Sequence, residues 1–263
     1  MRLGFVGTGS ITEAVVTGLI SAETNISSIV ISPRNHVIAT RLATIDPRIS
    51  VGTSNQDVLD RVDVVCLAVR PQIARNVLSE LKFRASLHVI SFIATLSGDA
   101  IAKMVAPAHQ VVRAAPLPAV AHHMGTTAIC PPDIISRQLF ASLGTAVEVD
   151  DCLAFDALFA ATASMGSYFA LLEGQADWLV DHGVSYEISR EFLSRFYLGL
   201  ANAATHSAVP FSTLTREFMT KGGINEQVFK QLSDAGMYKG YAAALDGVME
   251  RIQGASAELA DEN

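Results

Sequence analysis

The stretch Leu3-Gly4-Phe5-Val6-Gly7-Thr8-Gly9-Ser10-Ile11-Thr12-Glu13-Ala14 decides the fold of this chain. Leu3, Phe5 and Val6 form a short apolar run that reads as a buried strand. Gly7 permits a tight turn, and Gly9 lets backbone approach a ligand. From Ser10 onward Ile11, Val15 and Leu19 recur at helical spacing, flanked by Ala14 and Gly18. A strand, a Gly-x-Gly turn and a helix start, in that order, make a phosphate-binding element. The first helical N–H groups are unpaired, and the helix dipole favours an anion beside them. Thr12 stands where this pattern has its third glycine. A threonine there is expected to bury its methyl group and bond its own helix.

Outward from this stretch, Ile26 to Ser32 reads as a second strand, followed by a helix over 35–45 that Pro47 stops. A short strand at Val51-Gly52 and a helix from Gln56 to Arg61 come next. Val62 to Val69 is a continuous apolar run, the pattern of a parallel strand covered on both faces. Pro71 opens a helix reaching Leu81. His88 to Ile93 is another apolar strand, and a helix over 98–105 follows. Short strands at 111–113, 127–129 and 146–149 surround a helix over 132–143. This alternation predicts an α/β fold, with a doubly wound parallel sheet over residues 1–150. Its ligand-facing loops lie at the carboxyl ends of the strands, at 7–11, 32–35, 54–55, 69–72, 92–95 and 113–118. After Asp150 only helical spacing remains, over 151–181, 186–206, 211–219 and 225–253. Residues 151–263 are therefore predicted all-helical, with too many apolar positions for their length. A second copy of the chain is expected to cover them, and the tail from Gln253 is expected to fray.

Half of the 263 residues are hydrophobic and 17% are charged, which suits a large core. A net charge of −7 without a basic block argues against nucleic acid as the main partner. No uninterrupted apolar run of 18 residues occurs, so no membrane span is expected. The strand pattern begins at once, at Leu3, and no signal peptide is expected. Cys66, Cys130 and Cys152 are widely spaced and odd in number, which suits a reducing compartment, and a cytoplasmic location is expected. Cys66 reads as core. His122 and His123 are adjacent and point apart, with no acid or cysteine at ligand spacing, so no metal site is expected.

Strand two ends in Ile31-Ser32-Pro33-Arg34-Asn35, and no acid occurs from Asn25 to Ile45. Sites for NAD carry an acid here to bond the ribose 2′-hydroxyl. A hydroxyl on Ser32 and a guanidinium on Arg34 suit a 2′-phosphate instead, so NADP is favoured over NAD. Far along the chain, Thr220-Lys221-Gly222-Gly223-Ile224-Asn225 sets a Gly-Gly step before a helix. That is either a second anion-binding helix start or an ordinary interhelix turn.

At this point several pieces, in order, resemble the pyrroline-5-carboxylate reductase family across nearly the whole chain. Gly7 to Ala14 resembles its Gly-x-Gly-Asn-Met-Ala/Gly-x-Ala, and Asp63 to Gln72 its Asp-Val-x-x-Leu-Ala-Val-Lys-Pro-Gln. Arg113-Ala114-Ala115-Pro116 resembles Arg-x-Met-Pro. Ser164 to Phe169 and Lys221 to Asn225 sit where the family has Ser-Gly-Ser-Gly-Pro-Ala-Tyr and Pro-Gly-Gly-Thr/Ala-Thr. The resemblance implies a Rossmann domain followed by a helical domain through which two subunits dimerise. It implies reduction of the C=N bond of a five-membered cyclic imine acid by NAD(P)H, giving proline.

Position by position, the resemblance implies that Gly7, Thr8, Gly9, Ser10 and Ile11 hold the pyrophosphate. Ser32 and Arg34 would take the 2′-phosphate, and Asn55 would lie near the adenosine ribose. Ala68, Val69, Arg70 and Pro71, with Phe92, Ile93 and Ala94, would flank the nicotinamide half. Gly222 and the amides of Gly223, Ile224 and Asn225 would hold the substrate carboxylate, with Asn225 or Thr220 contacting the imine nitrogen. Three departures fall in the substrate motifs. Asn225 replaces a threonine, Leu117 replaces an asparagine, and Met165 is bulkier than the usual residue. The cofactor motifs are thus intact and the substrate motifs altered. The related 3-hydroxyacid dehydrogenases use a lysine of the second domain as general acid. No lysine occurs here from Asp151 to Thr220. A cofactor-binding regulator without turnover is the alternative from another class.

Overall fold

The computed structural model describes residues 1–93 and 95–261, with backbone only for 255–261. Eight strands form one sheet in the order β3-β2-β1-β4-β5-β6-β7-β8. They are β1 Arg2–Val6, β2 Ser28–Ile31, β3 Ile49–Val51, β4 Val64–Leu67, β5 His88–Ser91, β6 Gln110–Ala115, β7 Gly125–Cys130 and β8 Gly144–Glu148. Between them run α1 Ser10–Ser21, α2 His36–Ile45, α3 Asn55–Arg61, α4 Pro71–Ser79, α5 Gly98–Met104 and α6 Ile134–Ala141.

Alternation along the strands explains why both faces are covered. Leu3, Phe5, Val64 and Cys66 point into one core, filled from α1, α2 and α6 by Val15, Leu19, Leu42 and Phe140. Val6, Val65, Leu67 and Val89 point into the other, filled by Val58, Leu59, Ala74, Leu78 and Ile101 of α3, α4 and α5. All four residues of β4 are buried, as its apolar run predicts. Cys66 is fully buried, and burial pushes its thiol pKa up.

The expected all-parallel sheet is corrected at one pair. β6 and β7 are antiparallel, while β7 and β8 are parallel to each other. The cause is the connection over 116–124, which holds only a 3-10 turn at Pro118–His122 and is too short for a crossover. Within that turn His123 takes the left-handed conformation and its Nε2 lies 2.9 Å from the Gly18 carbonyl of α1.

The chain divides into two compact units, 1–160 with 249–263, and 161–248. Helix α7, Cys152–Ala161, closes the first stretch, and a 3-10 turn at Thr162–Ser164 follows. The second unit holds α8 Met165–Asp181, α9 Tyr186–Thr205, α10 Phe211–Glu217, α11 Ile224–Asp234 and the first part of α12 Met237–Asp261, as far as Val248. The single helix expected over 225–253 is two. Gly236, at φ +76°, ends α11 and starts a new direction. The tail expected to fray from Gln253 is helical through Asp261. Taken together, Cys152–Asp181 is long and apolar enough to cross a bilayer by length and composition, with a mean hydropathy of 1.3 over 18 of its residues.

Tyr168 of α8 is exposed and packs its ring against Phe169 and Tyr197. In the second unit only Ala176, Ser189 and Leu193 are buried. Phe169, Trp178, Ile188, Phe192 and Phe211 are each more than half exposed.

Candidate cofactor and substrate site

The strand order reverses at β1. The chain runs outward from β1 to β2 and β3, then returns to place β4 on the other side. The loops leaving β1 and β4 therefore diverge and open a crevice at their carboxyl ends. A depression of about 370 Å³ lies there, lined by Gly7, Thr8, Gly9, Arg34, Asn35, His36, Ala68, Val69, Arg70 and Ile73.

Gly7 is required by the turn on two grounds. Its φ is +102°, and a Cβ would stand 2.5 Å from the Ala68 carbonyl oxygen. At Gly9 a Cβ would meet no protein atom within 4 Å. The space over Gly9 therefore belongs to the depression, and a backbone without a side chain leaves it open to a phosphate. Gly9 is the N-cap of α1 and no side chain caps this helix, so the first N–H groups remain available.

Ser32 is corrected from its expected role. It is fully buried, and its hydroxyl accepts from the Gly7 N–H at 2.9 Å and lies 3.0 Å from Thr8 Oγ1. Thr8 in turn donates to the Ser32 carbonyl at 2.6 Å. Ser32 thus braces the glycine turn from beneath, and its hydroxyl is not offered to a 2′-phosphate. Thr12 is likewise buried, and it donates to the Gly7 carbonyl at 2.6 Å rather than to its own helix. Three hydroxyls hold this turn in place before any ligand arrives.

Arg34, from the loop after β2, and Arg70, from the loop after β4, both line the depression. Both are exposed, and among the described residues neither side chain has a hydrogen-bond or ion-pair partner. Asn35, the N-cap of α2, accepts from the Ile38 N–H, and His36 begins the helix. No Asp or Glu lines the depression. Glu13 of α1 pairs with Arg41 of α2. An open glycine, uncapped helix amides and unpaired guanidinium groups without a carboxylate fit the pyrophosphate and phosphates of a dinucleotide. Asn35 falls in the ligand-facing loop expected over 32–35, whereas His36 and Ile73 lie just beyond the loops that the sequence marks.

The remaining expected cofactor residues divide. Ser10 and Ile11 form the first turn of α1, and Pro71 the first position of α4. Asn55 begins α3 and does not line the depression. Phe92 stacks edge-on against Phe140 at 5.9 Å, and Ile93 is buried in the second core. Their side chains belong to the scaffold, which leaves only their backbone to a cofactor. Ala94 lies outside the described residues. Arg113 is buried, ion-paired with Asp156 of α7 at 2.7 Å, and lies 4.3 Å over the Phe155 ring. Among the described residues no group of three or more His, Cys, Asp or Glu is placed to hold a metal ion.

In the second unit the Lys221–Asn225 turn is organised locally. Gly222 has φ +74°, a conformation few other residues take. The Gly223 N–H donates to the Thr220 carbonyl at 2.8 Å, so it is not free for a substrate carboxylate as expected. Ile224 and Asn225 start α11, where helix geometry leaves their N–H groups unpaired. The Asn225 side-chain amide donates to the Phe218 carbonyl at 2.9 Å and keeps its oxygen and second hydrogen exposed. Glu226 accepts from the Gly222 N–H at 2.6 Å and pairs with Lys230 at 2.9 Å. These bonds, the Gly222 amide first, hold its carboxyl below the usual range. The Thr220 side chain is exposed on the same turn.

Comparison with known proteins matches each half. A family model described as NADP oxidoreductase, coenzyme F420-dependent, covers residues 2–95, and one described as pyrroline-5-carboxylate reductase dimerisation covers residues 154–255. The pyrroline-5-carboxylate reductase of Synechocystis sp. is 30% identical over 76% of this chain and 78% of its own. That of Haemophilus influenzae is 26% identical over 84% and 85%. The structure of a Plasmodium falciparum pyrroline carboxylate reductase with NADP bound superposes with a TM-score of 0.84. It is 20% identical and covers 97% of this chain and 98% of that one, a likeness of fold.

Proposed function

Because the chain belongs to the pyrroline-5-carboxylate reductase family, we propose that it reduces the C=N bond of a cyclic imine acid with NADPH, converting pyrroline-5-carboxylate to proline. The family makes it a nicotinamide-dependent oxidoreductase. The observation that carries the finer reading is the acid-free depression in which Gly9, Arg34 and Arg70 meet. A ribose 2′-phosphate there would add charge that two unpaired guanidinium groups stabilise, whereas a 2′-hydroxyl finds no carboxylate to accept from it.

The bound nicotinamide supplies a hydride. The chain's own residues bind and orient. The Gly7–Ile11 turn anchors the pyrophosphate, and Arg34 with Arg70 discriminates at the ribose. The Ile224 and Asn225 amides hold the substrate carboxylate at the start of α11. Asn225 has one amide hydrogen left for the imine nitrogen, and the Thr220 hydroxyl is a second donor on the same turn. An iminium carbon is already electrophilic, so proximity and electrostatic fit suffice and no strong acid is required.

The exposed aromatic face of the second unit supports a homodimer formed through residues that match the dimerisation model. That reading also accounts for the apolar stretch at Cys152–Asp181 without a bilayer, and a cytoplasmic location fits three free cysteines. Leu117, Met165 and Asn225 favour a second reading of the substrate, an imine acid of different ring size. The test is NADPH consumption with cyclic imine acids of five- and six-membered rings. Turnover with the five-membered ring at the higher kcat/KM is expected. Turnover with neither would overturn the proposed substrate class.

A further inference from the structure

We propose that Cys130 and Cys152 form a redox pair, which a hydroperoxide converts into an intramolecular disulfide joining the end of β7 to the start of α7. The two residues are far from a Cys-x-x-Cys motif, yet their sulfur atoms lie 3.9 Å apart. The fold brings them together through the parallel β7–β8 ladder. Its last rung, where the Val149 N–H donates to the Ile129 carbonyl at 3.0 Å, sets Cys130 beside the chain that turns through Asp150 into α7. The Cys130 sulfur also lies 3.9 Å from the Asp150 carbonyl. A disulfide needs about 2.05 Å between sulfurs, so the two side chains must rotate towards each other. The third cysteine, Cys66, is fully buried in β4 and takes no part.

The environments of the two sulfurs assign their order of reaction. Cys152 is exposed, whereas Cys130 is 2% exposed in a small core with Ala115, Ala128 and Phe155. Burial, reinforced by Cys152, pushes the Cys130 thiol up to about 11, against the opposing pull of Arg113. Cys130 is thus kept reduced and out of reach until its neighbour reacts. The Cys152 sulfur attacks the outer peroxide oxygen and the O–O bond breaks. The alcohol or water leaves with one proton, and Cys152 becomes a sulfenic acid. The Cys130 sulfur then attacks the Cys152 sulfur, the S–O bond breaks, and hydroxide leaves with the Cys130 proton as water. Two electrons and two protons pass from the thiols to the peroxide, and a reducing dithiol reverses the change.

The bridge would pin the first residue of α7 to the sheet beside the Arg113–Asp156 ion pair that already holds this helix. It would act on the element that leads the chain out of its first unit.

The test treats the purified full-length protein with hydrogen peroxide in thiol-free buffer. The expected result is an intact mass lower by about 2 Da, the two hydrogens lost. Free thiols fall from three to one, and a Cys130–Cys152 peptide is recovered. The unfolding temperature rises by about 5 °C and returns with dithiothreitol. Cys152→Ser, at an exposed site, abolishes the mass loss while unoxidised activity stays unchanged. A gain of about 32 Da on Cys152 with Cys130 still free, the sulfinic product, would overturn the proposal. So would a disulfide between chains on non-reducing electrophoresis, or a mass that does not change.

Discussion

Over residues 1–160 the chain buries both faces of its sheet and braces its ligand turn with Ser32, Thr8 and Thr12. Over residues 161–248 it buries only Ala176, Ser189 and Leu193 and leaves Phe169, Trp178, Phe192 and Phe211 in the open. The first unit is complete without any second molecule, because parallel strands covered by helices satisfy backbone and side chains together. The second has helices whose apolar faces stay open, with Phe169 and Trp178 of α8 and Phe192 of α9 uncovered. The turn proposed to hold the cofactor is therefore set within one chain. The face proposed to dimerise, and the turn proposed to hold the substrate, lie among surfaces that one chain leaves open.

The sharpest way to break this contrast is to charge the open face. Phe192→Asp with Phe196→Asp should convert a dimer to a monomer by sedimentation and remove most imine turnover. The mutated side chains are 62% and 48% exposed, so neither supports a core of its own chain. A dimer that persists would show that this aromatic pair lies outside the interface. In the first unit the matching experiment is Gly9→Leu. No protein atom lies within 4 Å of the added Cβ, so the unfolding temperature should hold. The side chain would fill the depression, and NADPH affinity should fall at least 100-fold, about 2.7 kcal/mol, by titration. Unchanged affinity would remove the glycine turn from the cofactor site.

Arg34→Asp probes the same depression more gently. It places a carboxylate where the chain has none and should reverse the preference from NADPH to NADH, by about 10- to 100-fold in the affinity ratio. Equal losses for both cofactors would mean that Arg34 does not read the 2′ position. On the other unit Asn225→Ala should lower kcat/KM for the imine about 10-fold, near 1.4 kcal/mol, with NADPH affinity unchanged. Part of that loss would come from the Asn225–Phe218 bond that shapes the turn. Asn225→Gln tests this, because it keeps an amide at a different reach. An unaltered rate in Asn225→Ala would take Asn225 out of the chemistry.

The contrast also explains what the sequence disclosed. The apolar run Val62–Val69 and the Gly-x-Gly turn are local patterns, and the structure places β4 and the β1–α1 turn where they point. The direction of β7 is not a local pattern, since strand periodicity is the same either way. Only the shortness of the connection over 116–124 carried that information. Ser32 was misread for a related reason. Its position at the end of β2 is visible in sequence, but whether its hydroxyl turns outward or under Gly7 is decided by the neighbouring loop. The Cys130–Cys152 approach is invisible for the same cause, because it arises from the register of β7 against β8. The turn proposed to hold the substrate is the least legible. Its Gly-Gly step is seen at once, but the bonds from Gly223 to Thr220 and from Asn225 to Phe218 depend on how the preceding helix ends.

The smallest effect concerns how the first unit responds to acid. Arg2, at the start of β1, donates to Asp63 at the start of β4 from its backbone and side chain. The Arg2 hydrogen bond holds the Asp63 carboxyl near 2, from an ordinary value of 3.8. Before β3, at the edge of the sheet, Arg48 holds Asp46 near 2 in the same way. A carboxyl whose folded value is depressed contributes stability above its unfolded value, and that contribution is lost as pH falls through the folded one. The first unit should therefore lose stability progressively from about pH 4 to about pH 2. The Asp63 side chain is 49% exposed, so solvent screens the pair and its share should stay within about 1 kcal/mol. Asp63→Asn should leave the unfolding temperature at pH 7 slightly lower and its decline between pH 4 and pH 2 shallower than in the unaltered chain. Equal slopes in thermal scans across that range would mean that the strand-start pair carries none of the acid dependence. The loss would then rest on Asp46 and on Asp57, whose carboxyl the Thr53 N–H holds down in the same unit.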